Sequence, residues 1–180
     1  PLHSPWLWRW PRWRQAIRWC VQNRLNGIGL ELFAHMNWIR NPGIARFEGD
    51  PLFSTQERTA LIHRIMAEAH RWGLKVCLFL CTAGTRLEYA GTHPEAVARN
   101  TPYGSIYQGE LCWEQGKDYL FALLTQYMDT FSEADGYIFQ PDECGCRCKA
   151  CATGTPFLKL YRRVYEWSRR AQRNPPSPKA

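Results

Sequence analysis

The sequence lacks any long apolar run, and no segment approaches the roughly 20 apolar residues that a membrane-spanning helix requires. It also lacks an N-terminal segment in which positive charge precedes an apolar stretch, so no secretory signal is visible, and it does not begin with Met. We therefore expect no membrane span. The compartment stays unknown, because a processed product or a fragment of a longer protein would begin in the same way.

Acidic residues are scarce at both ends of the chain. Residues 1–24 contain five Arg and no acid, and residues 155–180 contain seven Lys and Arg against the single acid Glu166. A nucleic-acid-binding domain usually gathers its basic residues on one organised face. The net charge of +7 is instead divided between two ends, which favours solvated helix faces and tails. The least favoured hypothesis is that the Arg- and Trp-rich N-terminus binds single-stranded nucleic acid by stacking and positive charge.

The pattern of apolar residues predicts alternating helices and strands. Hydrophobic residues make up 45% of the 180 positions, which is enough for one domain with a core. Helical spacing predicts helices over about 13–25, 54–72, 114–131 and 156–171, and short apolar runs predict strands over 28–34, 75–81 and 136–140. We expect Asn26-Gly27 and Trp72-Gly73 to end the first two helices.

This order of elements predicts an α/β fold with parallel strands joined by right-handed crossovers. Long connections follow each strand and short turns precede it, an asymmetry typical of a (β/α) TIM-barrel-like fold. A full barrel needs about eight such units, so we expect a partial barrel of about three strands over 1–172, followed by a Pro-rich tail, 173–180. An open sheet exposes strand edges, so the fold would need the missing barrel half or self-association.

Two carboxylates, Asp142 and Glu143, follow the third predicted strand directly. Barrel enzymes place their chemistry at the carboxyl ends of strands. We expect Glu143 to act as a general acid, because a partly apolar pocket would raise its pKa, and Asp142 to orient a substrate group. The alternative is that both are ordinary loop acids.

Aromatic and polar residues near the other strand ends are typical of a sugar site, because flat sugar faces stack on aromatic rings. Glu31 would be a costly buried charge unless it is paired or part of a site. The candidate substrate-binding residues are Glu31, His35, Asn37, Trp38, Trp113 and Gln140.

Cys144, Cys146, Cys148 and Cys151 form a C-x-C-x-C-x-x-C cluster immediately after these carboxylates. The sequence leaves a structural zinc ion, disulfides and free thiols as alternatives. A catalytic zinc ion is not expected, because four Cys ligands leave no open coordination position. The other four cysteines, Cys20, Cys77, Cys81 and Cys112, are scattered through apolar segments, where a lone cysteine is usually a small buried hydrophobic residue.

The region around Asp142 and Glu143 resembles a known family. The segments 111–124 (LCWEQGKDYLFALL) and 137–143 (YIFQPDE) are similar to the fourth βα region of glycoside hydrolase family 20 and its barrel relatives. The resemblance implies that Asp142 positions a 2-acetamido group, which attacks the anomeric carbon, and that Glu143 protonates the leaving oxygen. Residues 20–38 are similar to the second strand of that family, and the cysteines resemble those of uncharacterised members of the superfamily.

These observations predict a glycoside hydrolase that acts on a carbohydrate substrate. We expect the enzyme to need no cofactor for catalysis, and a structural zinc ion is one of the alternatives for its cysteines. The alternative is a non-catalytic zinc- or carbohydrate-binding module on a degenerate barrel. It is favoured by two departures from the family. The acidic residues that the family carries after its second strand are missing from 35–38, which follow the first predicted strand here. The motifs of the family's third strand are missing from 79–84, at the end of the second predicted strand here.

Overall fold

The computed structural model describes residues 9–31, 55–81, 92–98, 111–140 and 146–173, and the structural statements below concern these residues. They form four α-helices, α1 (Trp10–Gln22), α2 (Thr55–Arg71), α3 (Lys117–Thr130) and α4 (Thr155–Arg173), and three β-strands, β1 (Gly27–Glu31), β2 (Lys75–Cys81) and β3 (Gly136–Gln140). Two short 3₁₀ turns, Pro94–Ala96 and Cys151–Thr153, lie in the connections. The predicted order of elements is confirmed.

The three strands form a parallel sheet in the order β1-β2-β3. Leu30 of β1 is in register with Leu78 of β2, which is in register with Tyr137 of β3. Each strand is joined to the next by a helix, as a parallel arrangement requires. The predicted bounds of β2 and β3 are confirmed. The structure is thus an α/β fold built on a parallel three-stranded sheet.

The helices cover one face of this sheet and form the core with it. Val76, Leu78 and Leu80 are fully buried, whereas the alternate residues Cys77 and Phe79 are only half-buried. The buried residues of α2 and α3 recur at helical spacing, and Phe131 directly after α3 continues the pattern; they are Leu61, Ile62, Ile65, Met66, Ala69, Leu120, Leu123, Leu124, Tyr127, Met128 and Phe131. The other face of the sheet is more open, with Ile138 exposed to 42%.

The end of α1 differs from the prediction. Asn26-Gly27 does not end this helix, and Leu25 does not belong to it, because the chain leaves the helix after Gln22. Arg24 adopts a left-handed conformation with φ of 56°. The N–H of Leu25 then donates to the carbonyl of Cys20 at 2.9 Å, and the N–H of Arg24 donates to the carbonyl of Val21 at 3.0 Å. These two bonds form a Schellman motif, which satisfies the last free carbonyls of the helix.

Other helix bounds also differ slightly from those predicted, and α1 begins at Trp10 and not near residue 13. The helix α3 begins at Lys117 and not at Glu114, because residues 113–115 form a turn that closes with a hydrogen bond from the N–H of Gly116 to the carbonyl of Cys112, at 2.7 Å. The helix α4 continues to Arg173, where the described part of the chain ends. Among the described helices, none combines the length and apolar character needed to cross a membrane.

Candidate functional site

The carboxyl ends of the three strands lie at one edge of the sheet, because the strands are parallel and adjacent. Their last residues are Glu31, Cys81 and Gln140. Long connections follow these residues, whereas the turns that lead into β2 and β3 are short. Every candidate site residue predicted from the sequence therefore belongs to a strand end or to a connection at this edge.

Most of the predicted substrate-binding and catalytic residues fall outside the part of the chain that the structure describes. These residues are His35, Asn37, Trp38, Asp142 and Glu143, together with Cys144 of the predicted metal ligands. Glu31 and Gln140 are described as the last residues of β1 and β3, on either side of β2. Their roles in substrate binding stay predictions.

Trp113 lies in the connection between β2 and α3, and it is largely buried, with 8% of its surface exposed. Its ring packs against Phe157 of α4, with ring centroids 5.2 Å apart. Its indole Nε1 is buried and has no hydrogen-bond acceptor among the described residues. The contact with Phe157 joins the β2–α3 connection to α4, and sugar stacking on Trp113 stays a prediction that requires an accessible ring face.

Four cysteines converge beside this aromatic contact. The Sγ atoms of Cys112, Cys146, Cys148 and Cys151 all lie within 4.8 Å of one another. The Sγ atom of Cys112 is 3.6 Å from that of Cys151 and 3.8 Å from that of Cys148. Three of the four residues are buried and Cys148 is half-buried. We call these four residues the thiol cluster; they are compatible with a structural metal site.

Backbone hydrogen bonds hold Cys112 in place in the connection before α3. Its N–H donates to the carbonyl of Ala96 at 2.8 Å, and its carbonyl accepts the N–H of Gly116 at 2.7 Å. A Cβ atom at Gly116 would approach that carbonyl oxygen to 3.0 Å, so the close turn favours glycine. Cys112 is thereby held between the Pro94–Ala96 turn and α3.

The other three cysteines of the thiol cluster lie on the connection that leads from β3 into α4. Cys151 begins the 3₁₀ turn that precedes α4, and its N–H donates to Sγ of Cys148 at 3.4 Å. Gly154 then ends the turn with φ of 69°, a left-handed conformation that glycine adopts without steric cost. The turn holds Cys148 and Cys151 on one side of the cluster.

The electrostatics of the thiol cluster differ between its members. The N–H of Cys151, aided by neighbouring thiols, lowers the pKa of Cys148 to about 7. Burial instead raises the pKa of Cys151. A hydrogen bond stabilises the thiolate, whereas desolvation opposes it. The thiol of Cys148 therefore ionises near neutral pH. Thiolate is the form in which cysteine binds metals.

Sequence reasoning missed the role of Cys112, which it placed among the scattered buried cysteines. The residue is indeed buried, but it lies beside three other thiols. One signal could have pointed to it. Because β2 and β3 are neighbours, the connections that follow them share an edge, and each of these connections contains cysteine.

No protein-family model matches the chain, and no curated protein matches its sequence. Among solved structures, the fold is similar to that of a GH138 enzyme targeting pectin rhamnogalacturonan II, with a TM-score of 0.54 and 16% sequence identity. The match covers 75% of this chain and 15% of that enzyme. A second match, with a TM-score of 0.44 and 13% identity, is to a noncanonic maltogenic α-amylase, AmyB, from Thermotoga neapolitana, covering 71% of this chain and 34% of that one.

The first likeness supports a glycoside hydrolase-like, partial-barrel fold, without indicating family 20 specifically. Low identity restricts this conclusion to the fold, since one fold carries many activities. The chain spans less than a sixth of the GH138 enzyme's length.

Proposed function

We propose that the chain is a glycoside hydrolase acting on O-glycosidic bonds, with Glu143 as the general acid and Asp142 as the orienting group. The observation that carries the proposal is the position of these carboxylates in the chain, immediately after β3, in a fold similar to that of a glycoside hydrolase. Barrel enzymes build their active sites at this edge of the sheet.

The proposed mechanism follows from the adjacency of the two carboxylates. Neighbouring side chains diverge, whereas a mechanism with two carboxylates needs them roughly 5–9 Å apart and facing one bond. We therefore assign the nucleophile to the substrate, as the family 20 resemblance suggests: a 2-acetamido oxygen oriented by Asp142 attacks the anomeric carbon. The bond to the leaving oxygen breaks as Glu143 donates its proton to that oxygen. The preferred substrate class is then an N-acetylhexosaminide.

This chemistry requires no cofactor, because the acid, the orienting group and the nucleophile come from the protein and the substrate. A metal ion in the thiol cluster would be structural, since four cysteine ligands leave no open position for substrate or water. The proposed role of such an ion is to stabilise the connections at this edge.

The test is hydrolysis of a panel of chromogenic glycosides, including N-acetylhexosaminides, by the full chain and by Glu143→Gln. Loss of general-acid catalysis is expected to lower kcat by about 100-fold or more. The loss should be smaller for substrates with good leaving groups, because their leaving oxygen needs less protonation. Glu166→Gln, on the exposed side of α4, is the control and should retain full activity. A Glu143→Gln variant with full activity would refute the assignment.

The same measurement examines the alternative, a carbohydrate-binding module without catalysis. This alternative is favoured by the absence of acidic residues in 35–38. If the folded protein hydrolyses no glycoside, yet the wild type and Glu143→Gln bind the same glycans with equal affinity, the binding module replaces the hydrolase.

A further inference from the structure

The thiol cluster joins two parts of the chain that are distant in sequence. Cys112 belongs to the connection between β2 and α3, whereas Cys146, Cys148 and Cys151 belong to the connection between β3 and α4. Both connections start at the carboxyl edge of neighbouring parallel strands. A ligand that binds all four sulfurs would therefore cross-link the two connections.

The distances between the sulfurs match the geometry of one tetrahedral metal ion. Zinc–sulfur bonds of about 2.3 Å place the sulfurs of a tetrahedron about 3.8 Å apart. The two described separations from Cys112 are 3.6 Å, to Cys151, and 3.8 Å, to Cys148. A disulfide requires about 2.05 Å between sulfurs, which is much shorter than these two separations.

We propose that Cys112, Cys146, Cys148 and Cys151 bind one Zn²⁺ ion, and that Cys144 is not a ligand. A set of four sulfurs selects zinc or iron among the common metals, and zinc forms closed structural sites of this composition. The hydrogen bond from the N–H of Cys151 to Sγ of Cys148 supplies the outer support that orients a metal ligand. The ligand set differs from the one predicted from sequence, because Cys112 takes the place of Cys144.

The ion would anchor the segment that contains the proposed catalytic carboxylates. Residues 141–145 begin where β3 ends and finish immediately before the ligand Cys146. A metal-bound Cys146 fixes one end of this segment, while the sheet fixes the other. The Zn²⁺ site itself does not depend on the hydrolase proposal, and only this anchoring role rests on it.

The decisive experiment measures the metal content of the full chain, purified without chelator and without added metal, and of single Cys→Ser variants. The wild type and Cys144→Ser should each contain about one zinc ion per chain. Cys112→Ser and Cys148→Ser should lose it. Cys77→Ser, a half-buried cysteine of β2 outside the cluster, is the control for thiol loss and should retain zinc. Replacement of zinc by Co²⁺ should produce thiolate charge-transfer bands in the wild type. The bands require that the cluster sulfurs bind the ion, so they should be lost in Cys112→Ser and Cys148→Ser.

A second measurement needs only the wild type, in case Cys112→Ser does not fold. A thiol reagent is applied to the native chain before and after incubation with a strong chelator. Four additional thiols should react after chelation, and the melting temperature should fall. Three results would each overturn the proposal. The first is iron in place of zinc, and the second is zinc that is retained in Cys112→Ser but lost in Cys144→Ser. The third is a protein mass that shows disulfides among the four cysteines. Zinc content is measured independently of glycoside hydrolysis. The proposed Zn²⁺ site can therefore be refuted while the proposed hydrolase activity stands, and the reverse also holds.

Discussion

At the scale of single residues, Asp135 joins two elements at the edge of the sheet opposite to the proposed site. Its carboxylate accepts the N–H of Val76 at 2.7 Å and lies 2.9 Å from Nε2 of His70. The carbonyl of Val76 in turn accepts the N–H of Asp135 at 2.9 Å. The Val76 N–H and, to a lesser degree, His70 hold the pKa of the Asp135 carboxyl below its ordinary value. The ionised carboxylate therefore stabilises the fold.

We expect Asp135→Ala to lower the free energy of unfolding by about 1 kcal/mol near neutral pH, because a charged hydrogen bond is lost from a partly exposed site. The folded-state pKa lies below the unfolded value, so this stabilisation is complete above the unfolded value and is lost as the pH falls through the folded one. Urea unfolding at about pH 7 and about pH 3 should show a smaller difference from the wild type at the lower pH.

The control for this prediction is Asp129→Ala, which removes an exposed carboxylate near the end of α3. It should change the free energy of unfolding little at either pH. An Asp135→Ala effect that is equally large at both pH values would show that the carboxylate charge does not produce it.

At the scale of secondary-structure elements, α1 and α2 end with the same motif but with different residues. In α2 the left-handed position is Gly73, with φ of 75°, and the N–H of Leu74 donates to the carbonyl of Ala69 at 3.0 Å. In α1 this position is Arg24, with φ of 56°. A non-glycine residue has a steric cost in this conformation, which glycine avoids.

This pair of motifs predicts opposite effects for two substitutions. Arg24→Gly should raise the free energy of unfolding by about 0.5–1 kcal/mol, because removal of the strain outweighs the greater flexibility of the unfolded chain. Gly73→Ala should lower it by about 1 kcal/mol, and a Cβ atom there meets no atom within 4 Å, so the effect is conformational. Urea midpoints measure both; changes of the same sign would contradict the explanation.

At the scale of the whole molecule, the sheet is covered on one face and more open on the other. Ile138 of β3 is exposed to 42%. Leu158, Tyr161 and Tyr165 of α4 are also exposed, and the ring of Tyr161 contacts Phe139 of β3. In a complete barrel, further strands and helices would cover such surfaces. Exposed apolar surface beside an edge strand favours association.

We expect the 180-residue chain to self-associate with rising concentration, and Ile138→Lys to raise the monomer fraction in sedimentation velocity experiments. The matched control is Leu25→Lys, which introduces the same charge at a leucine exposed to 43%, before β1 and away from β3. If the control disperses the chain equally, the added charge, and not the open face, explains the change.

The sequence alone determined the order of the elements, the bounds of β2 and β3, and the buried faces of α2 and α3. These features depend on local periodicity, which is written in consecutive residues. The parallel arrangement followed, because alternating strands and helices leave few other topologies. The residues 141–145, with the proposed catalytic pair, were likewise placed after β3 by their position in the chain.

Only the tertiary structure decided which sulfurs meet. Cys112 is separated from Cys148 by 36 residues, and no local pattern connects them. The contact arises because β2 and β3 are neighbours, the connections after them share an edge, and backbone hydrogen bonds hold Cys112 beside the turn of Cys151. The contact of Asp135 with His70 likewise joins residues 65 apart in the sequence. The left-handed conformation of Arg24 arises where the chain leaves α1. Spacing along a chain reports distances only within one element, whereas a site built from two connections depends on how the elements pack.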